Sequence, residues 1–270
     1  MIVRALWGLA LGLVAAFGLI FTLGAGFGPV QSLAALLMAL LACYGAARTA
    51  GEPPPEIRLA SRWTIPVTVA SIVFLFGALL MMDSFYEAIH GAPAPGLTIE
   101  GWAGLLRFLA AYALLILIHE LVHYAAFRYY GARPRFLLLV KPFPGAAVYA
   151  ERHPLRRRAM LVVALAPAVV LTVAFAALLA VPKLAVVAIW GAALNLAGAV
   201  VDFAMAAWLL CLPPGTWVED LRDGIRVLPT GEAVRHLRYE DGRWEEITPE
   251  TRTANTGGPS AGVRVMRGRL

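Results

Sequence analysis

Six apolar runs, at 5–24, 30–47, 64–82, 102–127, 159–181 and 184–211, leave this chain little choice of solvent. Each approaches or exceeds the ~20 residues that an α-helix needs to cross hydrocarbon. Composition agrees: 60% of the residues are hydrophobic and only 15% are charged, against about 45–50% and about 25% in soluble domains. A soluble protein of 270 residues could not cover its surface with so few charges. The expected fold is an all-α polytopic membrane protein with about six transmembrane helices. The second run is the shortest, and the Gly-rich link before it, 24–29, would make a tight or re-entrant hairpin. Residues 1–24 read as a retained span, because their apolar stretch is too long for a signal-peptide core. The two cysteines, Cys43 and Cys211, both lie in apolar runs, which excludes a disulfide-stapled secreted domain.

The formal charge of +6 acquires meaning from its position. From Pro213 onward nine Arg balance nine acids, so the excess belongs to residues 1–212. Eight basic residues fall between Arg128 and Arg158, where Glu151 is the one acid. No aromatic ladder or recognition helix accompanies them, so nucleic acid is not expected as a partner. Loops 48–62 and 128–158 together hold eleven basic residues, and the loops on the other side hold only Lys183. By the positive-inside rule both termini are cytoplasmic. The expected location is a prokaryotic plasma membrane, with the lipid bilayer as a constant partner.

Three regions follow. Residues 1–101 carry three N-terminal spans, 102–212 carry three more around the basic loop 128–158, and 213–270 form a short β-rich cytoplasmic tail. In the tail, 224–228 reads as a strand and 236–247 as a hairpin around Asp241-Gly242. Residues 253–270, rich in Gly, Thr and Arg, read as disordered.

Ionisable groups inside a span are expensive, roughly 2.5–3.5 kcal/mol for a central Asp on insertion scales, so each calls for a reason. Arg107 is near a span end and can snorkel. His119, Glu120, His123 and Asp202 lie deeper. His119-Glu120-Leu121-Val122-His123 sets two imidazoles on one helical face, about 6 Å apart along the axis, where both can bind one Zn²⁺. Glu120 projects about 100° around the helix, near enough to hold a water without becoming a ligand. A catalytic zinc site typically takes a third protein ligand. His90, His153, Glu87, Glu100, Glu151 and Asp202 are the candidates, and depth favours Asp202, which lies as far in from the same face as His119. Asn195 has two readings: an interhelical hydrogen bond, or a donor to substrate or the developing oxyanion.

With these residues in view, the chain resembles the site-2 protease family of intramembrane zinc metalloproteases, closest to a compact branch of zincin-type peptidases. The likeness rests on His119-Glu120-Leu121-Val122-His123, on Arg158-Ala-Met-Leu-Val-Val-Ala-Leu-Ala-Pro167 and on Asn195-Leu-Ala-Gly-Ala-Val-Val-Asp202. It covers about 100–210. It implies Zn²⁺ held by His119, His123 and Asp202, Glu120 as the proton-transferring catalyst with help from Asn195, and a membrane protein or peptide as substrate. Where the family usually carries Leu-Asp-Gly preceded by prolines, this sequence has Val201-Asp202-Phe203, with Gly198 and no proline.

The stretch 136–149 is too apolar for an ordinary loop. It reads either as an interfacial β-hairpin whose residues Val140, Phe143, Gly145 and Val148 receive an extended substrate strand, or as a connector lying on the headgroups. Two other functions compete with the endopeptidase: an inactive metal-binding scaffold or chaperone, and a metal transporter. The oligomeric state is left open.

Overall fold

A computed structural model describes residues 1–22, 28–58, 63–139, 145–222, 224–228, 237–240 and 243–246. The chain is mostly helical, with helices α1 (Ile2–Thr22), α2 (Pro29–Arg48), α3 (Thr64–His90), α4 (Gly101–Tyr129), α5 (Arg157–Leu178), α6 (Ala185–Gly198) and α7 (Val200–Cys211). Among the described residues, α2, α3, α4 and α5 are each long and apolar enough to cross a membrane. The pair α6 and α7, bent by 48° at its junction, makes a fifth span if taken as one. Among the described residues, the apolar stretch Ile2–Ala16 of α1 is shorter. Proline at the start of α2 and a left-handed Gly91 closing α3 are ordinary end signals for helices.

The outward faces are apolar. Leu106, Leu109, Leu114 and Leu117 on α4 and Val162, Val169, Val170 and Val173 on α5 are all exposed, as a hydrocarbon solvent requires and water would not allow. Inside, small residues set the spacing. Alanines at 185, 188, 192 and 193 are buried along α6, which packs against α3 and α5. Gly191 lies so close to α5 that a Cβ there would sit 2.4 Å from the Phe175 ring. Gly8 and Gly12 of α1 approach Ala39, Ala42 and Ala46 of α2 in the same way. The junction of α6 and α7 bends without a proline. Ala199 adopts φ −76° and ψ 5°, outside helical geometry, yet its N–H still reaches the Asn195 carbonyl.

One end of the bundle is closed by a small antiparallel sheet. Strands β1 (Glu56–Arg58), β4 (Leu155–Arg156), β5 (Trp217–Leu221) and β6 (Gly224–Leu228) run in the order β1-β6-β5-β4. Three separate chain regions therefore meet at the end where α2 and α4 finish and α3 and α5 begin. Ile57 pairs with Ile225 and Leu155 with Val218, four buried side chains that seal the sheet against the helices. Arg157, one of the cluster read as an orientation signal, donates its N–H to the Thr216 carbonyl and its guanidinium to the Leu212 carbonyl. It thereby pins the start of α5 to the end of α7. Two further hairpins are present: β2 (Arg135–Leu139) with β3 (Gly145–Tyr149), and β7 (Leu237–Glu240) with β8 (Arg243–Glu246). The strand expected at 224–228 is β6, and the expected Asp-Gly hairpin is β7–β8, in which Glu240 pairs with Arg243. The link 23–27, the hairpin tip 140–144 and the tail 247–270 lie outside the described residues.

Gly191→Val forces α6 away from Phe175 and should cost about 1–3 kcal/mol. Gly45→Ala, where an added Cβ meets open space, should stabilise α2 by up to about 1 kcal/mol. Thermal unfolding of the two variants in detergent checks the opposite signs.

Candidate metal centre

Helix α4 sits at the edge of the bundle, and of its 29 residues only Leu115, His123 and Phe127 are buried. These three lie four residues apart or a multiple of four, on one inward stripe. His119 occupies the remaining place on that stripe and is largely covered, with 12% of its side chain exposed. The two imidazoles stand edge to face with centroids 5.0 Å apart. The helix then ends in a Schellman arrangement, with Gly131 at φ 82° and the Ala132 N–H returning to the Phe127 carbonyl. That stop turns the chain directly into β2.

Each imidazole is oriented from behind. Proline at 167, in the middle of α5, has no N–H for the carbonyl one turn earlier, that of Val163. The Nδ1–H of His123 takes this carbonyl at 2.9 Å. His119 Nδ1 faces Asn195 Oδ1 at 3.0 Å, while Asn195 Nδ2 donates to the Pro167 carbonyl at 3.2 Å and to Thr172 Oγ1 at 3.3 Å. With Nδ1 donating on both rings, both Nε2 lone pairs point away from the helix backbones and toward α7.

Asp202, in the first turn of α7 after the bend, meets them. Its Oδ2 lies 3.3 Å from His119 Nε2 and 3.6 Å from His123 Nε2. The three ligand atoms fall within 4.8 Å of one another, and they form the one group of three or more His, Cys, Asp or Glu residues among those described that could hold a metal ion. Donors of a tetrahedral zinc site at ~2.0–2.1 Å stand roughly 3.3 Å apart along each edge. The donor set and its spacing fit that ion, and the orienting bonds to both Nδ1 atoms are the supports a metal-bound imidazole needs.

Glu120, adjacent to the triad, is only partly covered, and its carboxylate lies near the Val148 backbone N–H. Strand β3 thus runs beside α4 with its unpaired edge toward Glu120, since its other edge is used by β2. Of the residues expected to receive substrate, Gly145 begins β3 and Val148 lies within it, whereas Val140 and Phe143 lie outside the described residues. Asn195 is 2% exposed with both amide hydrogens engaged. It has no free donor to offer a substrate or an oxyanion, so the interhelical reading is the one its geometry supports. The other candidate ligands are elsewhere: His90 Nε2 bonds the Leu179 carbonyl, Glu151 accepts the Arg222 N–H, and His153 bonds the Glu151 carbonyl. Sequence reasoning missed the part played by Pro167. A proline amid an apolar run was the visible signal, because its lost N–H always leaves one carbonyl in need of a donor.

Pro167→Ala restores an amide that competes for the Val163 carbonyl. Metal affinity should fall about tenfold, as for loss of other outer-shell partners. Thermal stability should change by less than the roughly 3 kcal/mol that an interior proline costs a helix, because the regained bond leaves the buried His123 Nδ1–H without its partner. A chelator competition assay beside a thermal melt separates these effects.

Comparison with known proteins finds that residues 112–217 match the model of a family described as "putative zincin peptidase". No curated protein and no solved structure matches the chain. The matched stretch begins in α4, ends at the first residue of β5, and contains His119, Glu120, His123, Pro167, Asn195 and Asp202. The match supports a zincin-type metallopeptidase family and implies Zn²⁺ as the metal for the His119, His123 and Asp202 triad.

Proposed function

We propose that this protein is a zinc-dependent intramembrane endopeptidase of the site-2 protease-like, HExxH type, cutting membrane-associated proteins or peptides near the cytoplasmic face. The observation that carries the proposal is the convergence of two Nε2 atoms and one carboxylate oxygen from α4 and α7, inside an apolar bundle, with a further carboxylate on Glu120 beside them. Several kcal/mol are needed to keep such groups among hydrocarbon, and a shared cation offsets that cost.

Zn²⁺ held by His119, His123 and Asp202 would supply Lewis-acid chemistry, drawing the pKa of a water toward ~7 and polarising the scissile carbonyl. Glu120 does the proton work. Its carboxylate takes one proton from the attacking water as the C–O bond forms, and delivers that proton to the amide nitrogen as the C–N bond breaks. Asn195 keeps His119 in the tautomer that presents Nε2, and the Val163 carbonyl does the same for His123. A helical substrate hides its amides in i to i−4 bonds, so it must unwind before the site can act. The free edge of β3, with Val148 near Glu120, is suited to pairing with the unwound strand, which Gly145, Val140 and Phe143 would help to receive. An apolar groove of about 510 Å³ opens between α4 and α5, lined by Leu121, Val122 and Ala125. The basic loops at the sheet end support a cytoplasmic position for that end and for both termini, in a plasma membrane of prokaryotic type.

Glu120→Gln should leave one zinc per chain bound while cleavage of a single-span reporter in proteoliposomes falls about 10²–10⁴-fold. Unaltered cleavage would remove Glu120 from the mechanism. Asp202→Ala should lose the metal in a zinc assay; a full complement would mean that another residue completes the site.

A further inference from the structure

The chain beyond α7 returns to the metal centre. Glu219, 6% exposed, accepts the Arg152 backbone N–H at 2.7 Å with one carboxylate oxygen and pairs with Arg226 through the other. Glu151 reaches the opposite way and accepts the Arg222 N–H at 3.0 Å. Between them the Asp220 carboxyl lies near the backbone N–H of Ala150, a residue that is completely buried. Two carboxylates therefore tie residues 151–152 crosswise to residues 219–222, with Asp220 between them. Arg152 is held at φ 62°, the one non-glycine residue at positive φ among those described. Such a conformation persists only where its surroundings hold it.

The tied segment is the root of the β2–β3 hairpin. Ala150 follows the last residue of β3, and two residues earlier the Val148 N–H lies near the Glu120 carboxylate. Asp220 itself lies within electrostatic reach of His123, Glu120 and Glu151. Burial pushes its carboxyl up to about 8, with Glu120 and Glu151 adding to the shift and the Ala150 N–H and His123 opposing it.

We propose that Asp220 and Glu219 are positioning residues of the peptidase, which with Glu151 latch the hairpin root so that the β3 edge stands against Glu120, ready to pair with substrate. This assigns a task to β5, which lies almost wholly beyond the stretch matched to the zincin family. It rests on the function proposed above.

The test uses the full-length, zinc-loaded protein in detergent, with Asp220→Ala compared with wild type. Amide hydrogen exchange over 146–152 should quicken about tenfold, with α4 to α7 and the zinc content unchanged. The KM for the single-span reporter should rise about fivefold with kcat held within about twofold, because a slack strand must be ordered by its substrate before pairing. Asp220→Asn, which keeps a side-chain acceptor near the Ala150 N–H, should restore both readouts. Should Asp220→Ala fail to fold, Glu151→Ala, at an exposed position, should shift both in the same direction. Unchanged exchange, or a fall in kcat at constant KM, overturns the latch. Absence of reporter cleavage by the wild type instead overturns the peptidase, and the exchange measurement then decides the latch alone.

Discussion

A backbone carbonyl with no amide to meet costs several kcal/mol in a medium that contains no water. In this molecule the carbonyl is that of Val163, released by Pro167, and the group that answers it is the imidazole of His123. A helical defect and an expensive side chain cancel each other. The same bond turns Nε2 toward α7 and so decides where a metal ion can sit. Asn195 closes the second half of the arrangement, linking His119, the Pro167 carbonyl and Thr172 across three helices. Little in the bundle's centre is free to move without breaking one of these bonds.

The surrounding helices are arranged to permit that. α6, lined with alanine, lies close to α5 and α3, and Gly191 lets it approach Phe175 closely enough to bring Asn195 level with His119. The bend after Gly198 then redirects α7, so that Asp202 points back into the space between the imidazoles. No proline lies between Asn195 and Asp202; the non-helical ψ of Ala199 makes the bend while the chain keeps its hydrogen bonds.

Much of the site was legible because burial of charge in an apolar run is so costly that each instance signals a purpose. His119, Glu120, His123 and Asp202 were visible for that reason, as was the matching depth of the two helices that carry them. The hairpin at 135–149 was visible as an apolar stretch interrupted by prolines and glycine. The roles of neutral or ordinary residues were not. Asn195 offered two readings that only its hydrogen-bond partners distinguish, and Arg157 passed for one more charge of the basic loop. The four-stranded sheet could not be foreseen, because β1 and β4 are three and two residues long and carry no alternating pattern of their own.

By itself, the sequence determined the apolar surroundings, the helical class, the pair of imidazoles on one face of a helix and the depth of Asp202 in the last apolar run. These depend on periodicity and on the price of charge in hydrocarbon, both written locally along the chain. Tertiary structure decided which nitrogen of each imidazole faces the metal, how the bend brings Asp202 between them, and how residues 219–222 reach the root of the hairpin. Those outcomes depend on hydrogen bonds between residues from 28 to 76 positions apart in the network of His119, His123, Pro167 and Asn195, and on bonds 67 and 71 positions apart at the hairpin root. No local pattern encodes a partner at that distance; only packing brings it within hydrogen-bond reach.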